Sequence, residues 1–313
     1  MSKFLSLFLL TLALLVATFA VNIQTPLYSL YVAKSGMGIA AVTIAFAAYV
    51  LGLMPTLILL GGLSDRIGRR PPIMISLVLG IIATAILVIK PSWASLVIAR
   101  IMLGISTGLV TTTGTAYMTE LMGSNKVRQA TQMVTSASAL GFGGGALATS
   151  ISLKLQGVTI IPASFISFFV IAFFLIFALF KLPDIILPKR VSILRLPIFP
   201  SGTWMFAISL AVAWSTTGMT IAIVPLILKE QGLSSWIGLV VFLSIFIGFL
   251  SQPIARRMSN SKSLLLGFVL VPVGFFVLLI GVCLHTIVLI LLGVCITSSA
   301  SYGFTYLAAL SEF

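Results

Sequence analysis

Ten mostly apolar stretches follow one another with short breaks between them, each near the ~20 residues that carry a helix across a bilayer. They run at 4–31, 38–60, 72–89, 94–119, 130–152, 160–181, 203–228, 235–255, 264–282 and 286–309. No other feature restricts the fold so much. In hydrocarbon every backbone N–H and C=O needs an internal partner, which a helix supplies and an isolated strand does not. The chain is 60% hydrophobic and 7% charged over 313 residues, more apolar surface than a soluble core of that length can bury. The spacing therefore predicts an all-α, multi-pass membrane protein. The first stretch begins after Lys3 like a signal peptide, with Thr18-Phe19-Ala20 as a conceivable cleavage site. It runs on uncharged to Tyr31, however, and is read as a membrane helix.

The net charge of +13 does not point to nucleic acid, because the basic residues lie in short clusters between the apolar runs. Their distribution instead sets an orientation. With the N-terminus in the cytoplasm, thirteen fall inside: Lys3, Arg66, Arg69, Arg70, Lys126, Arg128, Lys181, Lys189, Arg190, Arg195, Arg256, Arg257 and Lys262. Four fall outside: Lys34, Lys90, Lys154 and Lys229. That bias predicts a cell-membrane protein (plasma or inner membrane) with a cytoplasmic N-terminus. The Pro-containing basic segment 182–202 reads as a cytoplasmic linker. It separates a bundle over 1–181, of six helices, from a second over 203–313, of about four.

"GGLSDRIGRRPP", residues 61–72, gathers Asp65, Arg66, Arg69 and Arg70 between the second and third stretches. Gly61, Gly62 and Gly68 permit a tight turn, and Pro71 and Pro72 restart a helix. An ordinary basic hairpin accounts for all of this except Asp65. Residues 61–70, with Ser64 as the one departure, resemble the loop 2–3 signature of the major facilitator superfamily, Gly-x-Leu-Ala-Asp-Arg-x-Gly-Arg-Lys/Arg. The resemblance implies twelve helices in two bundles that alternate access to a central cavity. It also implies that Asp65, Arg66, Arg69 and Arg70 form a cytoplasmic charge latch, with Glu120 at the end of helix four pairing with the arginines. Asp65 would face the N-terminus of an eleventh helix. "QPIARRMSNSKS" (252–263) echoes the hairpin at an offset of 191, as a duplicated half would require.

Leu96-x3-Arg100-x2-Leu103-Gly104 resembles the family's fourth-helix motif, which implies a role for Arg100 in proton coupling or in handling substrate charge. From the residues alone, Arg100 is the one charge placed well inside a span. Such a residue is either functional or snorkels to the outer interface. Polar positions recur at helical spacing: Thr18, Asn22 and Thr25; Gly104, Thr107, Thr111 and Thr115; Thr216, Thr217 and Thr220; Ser298, Ser301, Tyr302 and Thr305. Asn22, Thr25, Thr107, Thr111, Thr217, Ser301 and Tyr302 are the candidate cavity residues, with helix packing as the plainer role for each hydroxyl. Gly104, Gly141 and Gly145 are candidate packing positions. Gly141-x3-Gly145-Ala146 matches part of the family's antiporter motif. Ala146 stands for its proline and Thr149 and Ser150 for its last glycines, which weakens the case for proton antiport.

Gly104-Ile-Ser106-Thr-Gly108 and Gly141-Phe-Gly143-Gly-Gly-Ala146 fit a hydrolase elbow and a dinucleotide fingerprint in letters only, since both lie mid-helix. Cys283, Cys295 and His285 have no metal-ligand spacing, so neither a metal nor a cofactor is expected, and no enzyme activity. The acids Asp65, Glu120, Asp184, Glu230 and Glu312 all lie in loops or at helix ends. A coupling acid in absent helices, an anionic substrate for Arg100, and transport without protons all stay open.

The reading is a monomeric secondary transporter of a small organic solute (drug, sugar or metabolite), with export favoured and protons as one candidate coupling ion. Its fold would be a six-helix bundle plus an incomplete one of about four helices. The alternative is a truncated or degenerate transporter that inserts without transporting.

Overall fold

The computed structural model describes residues 2–32, 39–184 and 204–310. Among them ten long helices occupy the ten apolar stretches, and no strand forms. They are α1 (Lys3–Val32), α2 (Ile39–Leu59), α3 (Arg70–Ile89), α4 (Trp93–Met122) and α5 (Val127–Gln156). After α6 (Ala163–Leu179) come α7 (Trp204–Glu230), α8 (Ile237–Ala255), α9 (Asn260–Cys283) and α10 (Ile287–Ser298). Eight of these, α10 being counted with its continuation to Thr305, are long and apolar enough to cross a membrane. Of the other two, α6 has 17 residues, at the short end of the spanning range. The other, α5, has 30 residues, but its hydroxyls, amides and glycines dilute its hydropathy.

Several helices outrun their apolar stretches. The helix α4 continues through Glu120 to Met122, where Lys3 Nζ donates to the Met122 carbonyl at 3.2 Å. Such a cation serves carbonyls that lack partners at a helix C-terminus. Two helices are irregular. In α1, the segment Thr25–Leu27 is a 3₁₀ turn with Pro26 in its first positions, and a regular helix resumes at Tyr28–Val32. In the last helix, α10 passes into a π-helix over Ser299–Thr305 before a final turn, Tyr306–Leu310.

The chain divides into two compact units, Met1–Pro197 and Ile198–Phe313. Most of the 182–202 segment read as a linker, with Lys189, Arg190 and Arg195, lies outside the described residues, as does Lys34. In the first unit α1 packs against α3, α4, α5 and α6, while α4 also packs against α2 and α3. In the second, α10 packs against α8 and α9, around Val224, Leu228, Val240, Leu278, Ile290 and Val294. Both units turn apolar residues outward and polar ones inward. Leu51, Phe174 and Val288 are exposed, whereas Gln24, Ser106, Thr149 and Arg100 are buried. A lipid-facing surface is the condition under which that pattern is favourable.

Close helix contacts rest on small residues. A Cβ at Gly104 would collide with the Tyr49 carbonyl and lie 2.8 Å from the Leu53 amide nitrogen, so α2 and α4 touch there backbone to backbone. Gly141 and Gly145 do the same for α5 against α1, at Leu15 and Phe19. Gly104→Ala is expected to force α2 from α4 and destabilise the protein by about 1–3 kcal/mol. Gly144→Ala meets only the Phe19 ring at 3.7 Å and serves as the control, with an unchanged or slightly higher Tm. Thermal unfolding of the two purified variants checks this.

Candidate functional site

The hairpin between α2 and α3 holds a short helix, Leu63–Ile67, between two turns. Gly61 lies in the first turn. Gly68 makes the second with φ +95°, a left-handed conformation that suits glycine. Pro71 and Pro72 stand in the first positions of α3, where the missing N–H costs nothing. These two turns carry Arg69 back into the protein, where it is buried.

The Arg69 guanidinium is gripped on two sides. Its Nε donates to Glu120 Oε1 and Oε2 at 3.1 and 3.0 Å, and its Nη2 to Oε1 at 2.5 Å. Its Nη1 lies 2.5 Å from Asp65 Oδ1 and donates to Ser64 Oγ at 2.7 Å. A planar fork matched to carboxylates on both edges is a geometry that lysine cannot reproduce. Burial would by itself lower the Arg69 pKa, but the Glu120 and Asp65 carboxylates outweigh it and hold the group above its ordinary value.

Arg70 faces the other way. Its backbone N–H donates to Asp184 Oδ1 at 3.2 Å, its Nη1 to the Phe180 carbonyl at 2.9 Å, and its guanidinium lies 5.6 Å from the Phe180 ring centre. The Asp184 carboxylate fills the space where a Gly68 side chain would sit, and the Tyr117 hydroxyl donates to the Pro183 carbonyl. The residues that follow α6 thus fasten the hairpin. Arg66 is exposed.

A second polar centre lies around Arg100 on α4, a side chain only 1% exposed. Snorkelling to an interface is therefore not its arrangement. Its Nη1 donates to the Val21 carbonyl at 2.9 Å, beside the interruption of α1. Its guanidinium sits 4.8 Å from the centres of both the Phe46 and Tyr49 rings of α2, a cation–π clasp. No carboxylate pairs with it among the described residues, and its Nε has no partner.

A Major Facilitator Superfamily model matches residues 10–311. The chain belongs to that family. Its members are membrane transporters, and the chain accordingly serves the passage of a solute across a membrane. No curated protein matches it in sequence. Among solved structures it resembles XylE, the xylose transporter of E. coli, in an inward open conformation. The TM-score is 0.71 at 17% identity, over 98% of this chain and 82% of that one. A bacterial homolog of the human lysosomal transporter Spinster gives 0.70 at 14% identity, over 98% and 74%. Human MFSD10, an organic anion transporter, gives 0.59 at 17% identity, over 100% and 92%. At such identities the likeness establishes the fold.

Several candidate cavity residues of this superfamily chain have local duties. Thr107, Thr111 and Thr115 each donate to the carbonyl four residues earlier on α4, the packing role weighed for such hydroxyls. Asn22 donates to the Phe142 carbonyl at 2.9 Å and ties α1 to α5. Thr25 is buried with its hydroxyl unpartnered. In the second unit Thr217 and Ser301 lie 3.2 Å apart, joining α7 to the π-helix. Tyr302 stacks on Tyr306 at 5.1 Å, with the Trp214 ring edge-on to both. The echo at 252–263 occupies the turn before α9, but Arg256 and Arg257 are exposed there, and no ion pair forms in it among the described residues.

Sequence reasoning missed Ser64, Tyr117 and Asp184 as members of the hairpin lattice. Ser64 is the very departure from the family pattern, and it gains a bond to Arg69 that alanine could not make. For Asp184 the available signal was an acid directly after Pro183 at the end of a span.

Proposed function

We propose that the protein exports a small organic solute across the cell membrane by alternating access. In this reading the hairpin lattice acts as the inner latch and Arg100 as the functional charge of the N-terminal bundle. The observation that carries it is the Asp65–Arg69–Glu120 arrangement, with a buried guanidinium held between two carboxylates at the hairpin of the family signature. An ordinary basic turn would leave its arginines in water. The latch can switch, since the one guanidinium shared by two carboxylates is held by contacts that weaken once water enters. The thirteen-to-four charge bias supports a cytoplasmic hairpin and N-terminus, hence an inward latch. Protons are the weaker choice of coupling ion, because the described acids lie at helix ends or in loops.

The test is energised uptake of labelled sugars, drugs and organic acids by everted membrane vesicles containing the full chain. Accumulation inside everted vesicles, absent from vesicles without the protein, is the expected result. Accumulation only in right-side-out vesicles overturns export. Movement of no solute in either orientation, with the protein present in the membrane, favours a protein that inserts without transporting.

A further inference from the structure

Five buried polar atoms of the first unit lack hydrogen-bond partners along one end of α1 and against α4: Arg100 Nε, Gln24 Oε1, Thr25 Oγ1, Tyr28 OH and Tyr31 OH. All five side chains are at most 2% exposed. Two of these side chains share an acceptor. Arg100 Nη1 and Gln24 Nε2 donate to the same Val21 carbonyl, at 2.9 and 2.8 Å. Thr25 opens the interruption, and Tyr28 and Tyr31 follow at three-residue spacing, a spacing that lines up side chains along one helix face. The Tyr28–Val32 turn packs against α4 and α2.

Buried polar groups left without partners are unfavourable, and a buried cation without a counter-charge more so. The Phe46 and Tyr49 rings and one carbonyl offset part of that cost for Arg100. The remaining groups are mainly donors, the Nε–H and three hydroxyls against the one amide oxygen of Gln24. Water could serve hydroxyls and an amide, yet it brings no negative charge. A small anion supplies both the acceptor and the charge.

We infer that the Arg100 centre of the first unit holds a small monovalent anionic group against Nε, either a free halide ion or the carboxylate of the transported solute. The inference rests on the reading of Arg100 as a functional charge and names what that charge meets.

Thermal unfolding of the purified full chain in detergent tests it. Sodium chloride and sodium benzoate are titrated separately, each replacing the divalent salt sodium sulfate at fixed ionic strength. A ligand that binds only the folded state raises Tm with a saturable dependence on its concentration. Such a rise is expected in the wild type and not in Arg100→Gln. Arg100→Lys keeps the charge but loses Nε, and its midpoint should weaken at least ~10-fold, the loss of one charge-assisted hydrogen bond. It also carries the test if the glutamine variant does not fold. A response to chloride assigns a halide, and a response to benzoate alone assigns the solute carboxylate. A wild type indifferent to both, or a response that survives in Arg100→Gln, overturns the inference. Vesicle transport measured alongside separates the two readings. An indifferent wild type whose Arg100 variants still lose transport overturns the anion alone. An anion response with full transport in those variants overturns the functional role.

Discussion

Arg69→Ala is expected to cut solute transport in vesicles by at least ~10-fold and to destabilise the protein by about 3–5 kcal/mol, the range for removing one member of a buried ion group. Arg69 is in ion-pair contact with both Asp65 and Glu120, and it is 4% exposed. Its removal leaves two carboxylates facing a vacated site. Arg69→Lys should fall between wild type and alanine, because an ammonium cannot bond Glu120 side-on and Asp65 together. Glu120→Ala combined with Arg69→Ala should show strong non-additivity, a coupling of about 0.5–3 kcal/mol in thermal or denaturant unfolding. Wild-type transport by a well-inserted Arg69→Ala protein would remove the latch from the mechanism.

Arg100→Met is the second large effect. Transport is expected to fall roughly 10- to 100-fold, matching the loss of a charge-assisted hydrogen bond to the moving species. The purified protein should keep its Tm or gain a little, since an apolar side chain of similar reach suits the Phe46 and Tyr49 rings and carries no desolvation penalty. Arg100→Ala should lose transport as well, with a lower Tm from the void it leaves. The opposite split, a lower Tm with normal transport in Arg100→Met, would make Arg100 a packing residue held by its cation–π clasp.

The spans were legible because membrane thickness imposes a length that no local contact has to supply. All ten helices fall on apolar stretches, and the errors are at the ends. There α4 and α5 carry on through Glu120, Arg128 and Lys154 into polar surroundings. The hairpin was legible for a related reason, in that Gly68 and Pro71 dictate backbone geometry wherever they occur. What escaped depends on distant partners. Asp184 lies 114 positions from Arg70, and nothing near either residue signals their bond. The interruption of α1 had a visible mark in Pro26, hidden by an unbroken apolar run. The π-helix at Ser299–Thr305 had none, because its extra residue is absorbed by contacts such as Gly267 against Thr305 and Gly248 against Tyr302. The hydroxyl stripes were visible, but periodicity does not distinguish a threonine facing a cavity from one bonded to its own helix.

The hairpin lattice has a consequence for the order in which the protein is made. The family signature suggested that Asp65 looks to a helix of the second half. The bonds of Arg69 to Ser64, Asp65 and Glu120, and of Arg70 to Phe180 and Asp184, all join residues within the first 184. A ribosome adding about 5–20 residues each second has released all of them before α7 is complete. The nascent first bundle can therefore pair Arg69 with Asp65 and Glu120 while the second is still being translated. The insertion machinery is then spared an unpaired Arg69 during that interval.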